Sequence, residues 1–186
     1  MQEVVMKRAV LLAFCLLFGA SMAFAQAGSI GVFADDAGTS CNITAPLGGI
    51  FYVYMFHLNT TGATASLFAV DYPTGATYVA DGVPPGTPYL IIGNSNVGIS
   101  VAYSRCETGS FWIATATMIG AGAAACSYIS VVPHPNATSG EIEAVDCESY
   151  RMYPTGGQGI VNGDGSCDCN VPVTDKTWGG VKALYQ

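Results

Sequence analysis

The sequence predicts an all-β protein: an antiparallel β-sandwich of about nine short strands, immunoglobulin-like or jelly-roll-like, with a short C-terminal helix. Short apolar and β-branched runs recur between clusters of Gly, Pro, Asn and Asp, and no long stretch of the domain has helical periodicity. The run Gly48-Gly49-Ile50-Phe51-Tyr52-Val53-Tyr54-Met55-Phe56-His57-Leu58 is the strongest of these and reads as a central strand. Alternation puts Phe51, Val53, Met55 and His57 on one face and Tyr52, Tyr54, Phe56 and Leu58 on the other.

In chain order, Ser29–Phe33 is a first strand closed by Asp35-Asp36-Ala37-Gly38, and residues 41–44 form a second. After the central strand, Asn59-Thr60-Thr61-Gly62 is a terminator, and residues 64–70 form the next strand, ending at Asp71-Tyr72-Pro73-Thr74-Gly75. Residues 77–80 and 89–92 are strands around a proline-rich loop. Residues 97–105 and 110–119 flank Cys106-Glu107-Thr108-Gly109 and read as a hairpin. Ser127–Val132, residues 140–145 and Gln158–Val161 complete the set.

Both ends differ from this domain. Met6-Lys7-Arg8, an apolar run from Ala9 to Ala20 and an Ala23-Phe24-Ala25 site describe a signal peptide over residues 1–25, cut before Gln26. The disulfide-linked sandwich is expected over 26–170, and 171–186 is a tail with Trp178, Val181, Leu184 and Tyr185 at helical spacing, an apolar stripe for docking. No apolar run after the leader is long enough for a transmembrane helix. The expected address is secreted: extracellular, periplasmic or cell surface.

Past the leader, four basic residues (Arg105, Arg151, Lys176, Lys182) face twelve acidic ones, a net charge of −8. Nucleic acid is excluded as a partner, because phosphates need a basic footprint. Cys41, Cys106, Cys126, Cys147, Cys167 and Cys169 are an even set in an exported chain and predict three disulfides rather than a metal site, since no Cys-x-x-Cys is present. If successive strands run up and down, Cys126 bonds Cys147, and Cys167 and Cys169 take Cys41 and Cys106 as separate partners.

Several stretches carry a resemblance: Gly28-Ser29-Ile30-Gly31-Val32-Phe33-Ala34-Asp35, Gly98-Ile99-Ser100-Val101-Ala102-Tyr103, Ser139 to Cys147, Asn162-Gly163-Asp164-Gly165-Ser166-Cys167, and Thr177-Trp178-Gly179 with Val181-Lys182 and Leu184-Tyr185. Together they resemble an uncharacterised family of secreted bacterial Cys-containing β-domain proteins with a C-terminal Trp-Gly-x-Val-Lys-x-Leu-Tyr tail. The resemblance implies a portable sorting or docking element at the tail and no activity. The stretch from Phe51 to Pro73, with Asp71-Tyr72-Pro73 ending a strand after Gly62, is similar to the strand-loop-strand of cohesin-type bacterial adhesion sandwiches.

Candidate sites reduce to one. Asn162-Gly163-Asp164-Gly165 is shared with calcium loops, but alignment on Gly165 puts Ile160 and Val171 at the first and twelfth ligand positions, which excludes an EF-hand. Asp35 and Asp36 are adjacent and read as a turn. His57 has no nucleophile motif to serve and is expected as a hydrogen-bonded histidine at the sheet rim; His134 lies in a Pro-His-Pro loop. No catalytic or metal residues and no cofactor are expected. The N-glycosylation matches at Asn42, Asn59 and Asn136 are assigned no role. The aromatics remain: Tyr52, Tyr54 and Trp112 are the candidate ligand-facing rings. The predicted function is an exported, non-enzymatic structural or binding module of the bacterial envelope or extracellular space. Two variants stand beside it: a carbohydrate-binding module with a coplanar aromatic strip, its partner a glycan, and a self-assembling surface subunit joined at strand edges. A surface protein is the other partner class.

Overall fold

The computed structural model describes residues 27–167, which are all-β. The leader, the tail with its expected helix, and Trp178, Val181, Leu184 and Tyr185 lie outside the described residues. Eleven strands lie among the described residues, against the nine or so expected: β1 (Ser29–Phe33), β2 (Asn42–Ile43), β3 (Ile50–Asp71), β4 (Ala76–Gly82), β5 (Leu90–Asn94), β6 (Gly98–Gly120), β7 (Ser127–Val132), β8 (Glu143–Val145), β9 (Arg151–Met152), β10 (Thr155–Gly156) and β11 (Gln158–Val161).

The architecture hangs on two long strands. β3 has 22 residues and β6 has 23, and they pair antiparallel from Ile50↔Ile119 to Phe68↔Ile99. Straight, each would span roughly 70 Å. Instead the two-stranded ribbon folds over in its middle. His57 and Ser66, nine residues apart on one strand, come within 3.4 Å through Nδ1 and Oγ, and the rings of Tyr103 and Phe111 on the other lie 5.1 Å apart. The register slips between His57 and Ala65 mark the corner, with Asn59 at φ 53° and Gly109 at φ 78°. Bulges and left-handed residues let paired strands pass from one sheet to another.

This corrects two expectations. Residues 59–62 do not terminate a strand, and residues 106–109 are not a hairpin turn pairing their own flanks: each stretch bends beside the other, and the chain stays in the ladder. The ribbon supplies both layers. The first layer runs β10-β1-β3-β6-β4, using the first limb of β3 and the second limb of β6. The second runs β5-β6-β3, and the far edge of β3 there is shared by β8, at Ala65–Leu67, and β7, at Ala69–Asp71. β8 carries β9, and β7 carries β11 and β2. Most pairs are antiparallel; β1 with β10 and β2 with β11 are short parallel additions.

Between the layers lies one core. Val53, Met55, Ile113 and Met118 of the first layer cluster with Phe68, Val70, Ile99, Val101 and Ile129 of the second. The alternation read for the central strand holds: Phe51, Val53, Met55 and His57 are buried in the interior, while Tyr52 faces out. Phe56 and Leu58, on the outer face, are covered with Phe33 and Cys41 in a smaller cluster. A one-residue slip, Met55↔Ala114 but Phe56↔Trp112, turns both Ile113 and Ala114 inward and Trp112 outward.

The disulfides follow this topology and not the up-and-down order. Cys106 bonds Cys147 and Cys126 bonds Cys167, with Cα separations of 5.4 and 5.8 Å. β7 and β8 are not neighbours, so the expected Cys126–Cys147 bridge does not form. Cys147 follows β8, whose Val145 pairs with Ala65 beside the corner, and Cys106 is one residue before Glu107, which pairs with Ala63. Gly62 lies under that bridge: a Cβ there would be 2.7 Å from Cys147 Sγ. Cys167, expected to bond Cys41 or Cys106, bonds Cys126 instead. Cys41 is also disulfide-bonded.

Candidate functional site

The sites marked by the sequence resolve differently. Asp35 is a loop anchor: its carboxylate accepts from the backbone N–H groups of Ala37, Thr39 and Ser40 and from the Thr39 hydroxyl. Asp164 accepts from both the backbone and hydroxyl of Ser166, closing a turn beside the Cys126–Cys167 bridge. Those two cysteines and Asp164 converge, but bridged sulfurs offer no thiolate to a metal.

His57 is not at a rim. It is fully buried, and its Nε2–H donates to the Ala27 carbonyl at 2.8 Å, which leaves Nδ1 to accept from Ser66 Oγ. Ser66 also bonds the buried Tyr103 hydroxyl. A Ser–His contact of this kind could suggest a nucleophile and base. Here Ser66 is 2% exposed, and the position a triad gives to a carboxylate is held by a carbonyl. The network instead staples the folded ribbon to the start of β1.

Burial pushes the His57 pKa below its ordinary value of 6.5, outweighing the Ala27 bond. A histidine harder to protonate when folded contributes stability that is complete above the unfolded value and is lost as pH falls towards the folded one. The melting temperature should therefore drop between pH 7 and pH 5, before carboxylates titrate. His57→Gln, which can still donate to Ala27, should flatten that window. An equal slope in the variant would assign the pH dependence elsewhere.

A second, partly buried network ties β4 to the β5–β6 turn. Asp81 accepts from the Ser95 backbone N–H at 2.6 Å, the Ser95 hydroxyl at 2.7 Å and the Tyr78 hydroxyl at 3.0 Å, and Tyr72 OH meets Ser95 Oγ at 2.8 Å. Ser95 is wholly buried. This too is a clamp and not a reaction centre.

The candidate rings do come together on the outer face of the first layer. Tyr52 and Tyr54 have centroids 6.4 Å apart at 51°, and Tyr54 and Trp112 lie 5.3 Å apart at 65°. The indole N–H donates to the Ala114 carbonyl and the Thr115 hydroxyl. Tyr52 is half exposed; Tyr54 and Trp112 are partly covered. The strip is tilted edge to face, not coplanar.

The opposite face carries a groove that no motif marked. On the second layer, Phe68, Val70, Ile99, Val101 and Ile91 turn inward, so their neighbours Leu67, Ser100, Ala102, Leu90 and Ile92 turn out. Together with Val145 of β8 they line a groove of about 260 Å³. Leu90 is 60% exposed and Ile92 64%. At the β8–β9 rim, Glu143 accepts from Ser139 at 2.7 Å and pairs with Arg151 at 3.7 Å. Sequence alternation gives Leu90 and Ile92 a common face. Because Ile91 is equally apolar, it does not say which face meets solvent.

No protein-family model and no curated protein matches the sequence. Solved structures do. A type II cohesin domain from the cellulosome of Acetivibrio cellulolyticus superposes with a TM-score of 0.51 at 15% identity, over 74% of this chain and 96% of that one. A non-cellulosomal cohesin from the archaeon Archaeoglobus fulgidus gives a TM-score of 0.49 at 13% identity, over 72% and 91%. A cohesin in a type I cohesin–dockerin complex from Clostridium thermocellum gives 0.46 at 12%, over 72% and 99%. At such identities the likeness is one of fold: a jelly-roll-type β-sandwich like that of the Acetivibrio domain.

Proposed function

We propose that the chain is an exported, non-enzymatic binding module that holds a partner protein against the groove of its second layer. The exposed Leu90 and Ile92 beside Leu67 and Ala102 carry this reading: a contiguous apolar surface rimmed by the Glu143–Arg151 pair has the make-up of an interface core with a polar edge. An apolar floor with a charged rim makes a protein the partner class to test first. The sealed Ser66–His57 contact supports the absence of catalysis. The signal peptide and three-disulfide cysteine set support export to the envelope or extracellular space, with the tail from residue 171 as a sorting or docking element. The glycan reading is weaker, because the tilted rings of Tyr52, Tyr54 and Trp112 offer no flat platform.

The test uses chain collected from the culture medium, whose first residue should be Gln26. The immobilised protein should retain a protein partner from the producing cell's extracellular fraction. Leu67→Glu or Ala102→Glu, each placing a carboxylate in the groove floor, should weaken that binding by at least ~30-fold, the scale of a hot-spot loss of about 2 kcal/mol. Tyr52→Ser should leave it unchanged. The reverse pattern would move the site to the aromatic face.

A further inference from the structure

Among the described residues the sandwich has several open strand edges, and all but one are protected. β2, β9 and β10 are two residues long. β4, the edge of the first layer, has a register slip between Tyr78 and Ala80 and carries Asp81. Short strands, bulges and charges are the devices that stop an edge from recruiting another strand. β5 has none of them. Its five residues pair with β6 without a slip, from Leu90↔Ala102 to Asn94↔Gly98, and β6 is its only ladder partner among the described residues. Leu90, Ile92 and Gly93 are exposed, and the strand contains no ionisable side chain. Gly93, at φ 84°, ends the regular edge, which therefore runs over Leu90-Ile91-Ile92.

We infer that this edge is a self-association site: two copies of the chain join β5 to β5 antiparallel about a two-fold axis at Ile91. The occupant follows from the chemistry of the seam. The chain's net charge of −7 makes copies repel, so they can meet only where charge is absent, and neither β5 nor residues 98–102 behind it contains any. Glu107, which accepts from Tyr89 just before β5, pairs with Arg105 at 2.8 Å, and Glu143 and Arg151, which line the groove with Leu90 and Ile92, pair with each other at 3.7 Å. The edge is also self-complementary. With Ile91 opposite its own copy, Leu90 of each chain stands beside Ile92 of the other on the outer face, so each exposed side chain gains an apolar neighbour along the seam while its outward surface stays in the groove. The two second layers then become one continuous sheet, and the two grooves lie side by side. This inference does not depend on what fills the groove.

Sedimentation equilibrium of the mature chain should give an apparent mass that rises with protein concentration to twice that of the monomer and persists at high salt. Leu90→Lys with Ile92→Lys should yield a monomer of unchanged melting temperature, while Leu67→Glu, in the groove but off the edge, should remain a dimer. Mixing Leu90→Cys with Ile92→Cys chains should give a disulfide between unlike chains in preference to either like pair. A wild-type monomer at all concentrations would overturn the inference, as would a dimer that survives the double lysine variant. A Leu67→Glu dimer that no longer holds the groove's partner separates the two readings.

Discussion

Phe68→Ala should cost about 3–5 kcal/mol of unfolding free energy, the range for deleting a fully buried aromatic side chain. Among the described residues Phe68 is the largest side chain wholly shielded from solvent, and it sits on the second limb of β3, opposite Ile99 in the ladder. It belongs to the same buried cluster as Val53, Met55 and Met118 of the first layer. That loss is a large part of the roughly 5–15 kcal/mol that holds most domains together. The control is the next residue: Leu67 points into the groove, so Leu67→Ala should cost less than ~1 kcal/mol, as surface changes do. Guanidinium titrations with the disulfides intact would measure both, with the midpoint shifting at constant slope. Equal losses at the two positions would mean that the limb does not alternate between core and groove.

Much of the fold was legible because local pattern and tertiary environment agree. The central strand's two faces were assigned correctly from period-two alternation, since a fully buried face and an aromatic outer face have different compositions. Ser127–Val132 and Gln158–Val161 were read with the observed bounds because glycine, cysteine and proline neighbours frame them. The misreading came at residues 59–62 and 106–109. Asn and Gly in the left-handed region mark a change of direction, and the chain does change direction there. What turn chemistry cannot say is whether a strand reverses against its own flank or bends in company with another. The contact that decides this, His57 with Ser66 across the folded ribbon, is tertiary. The disulfide map failed for the same reason, because it inherited the order of strands.

The site was less legible than the fold. Tyr52, Tyr54 and Trp112 do share one face, but their mutual tilt depends on the slip at Ile113, which no residue type announces. The groove was invisible for a plainer reason. Ile91 packs inward and Leu90 and Ile92 outward, yet the three are chemically alike. An edge strand apolar on both faces looks in sequence like a central one.

Removing the Cys106–Cys147 bridge should separate stability from binding. It closes a loop of 41 residues, and so does Cys126–Cys167. On the chain-entropy account, loops of that length contribute about 4 kcal/mol each, an upper figure here because the two loops overlap. Cys106→Ser with Cys147→Ser and Cys126→Ser with Cys167→Ser should therefore lower stability by similar amounts, about 2–4 kcal/mol. Their effects on the groove should differ. Cys147 lies in the connection between β8 and β9, whose wall carries Val145 in the groove and the Glu143–Arg151 pair, and its bridge pins that wall to the ribbon's corner. Cys126 and Cys167 tie the β7–β11 end, which supplies no lining residue. Partner binding at a temperature where both variants stay folded should thus fall in the first and hold in the second. Equal binding in both would show that β8 keeps its place through its ladder with Ala65–Leu67 alone, and that the bridge serves only the unfolded-state constraint.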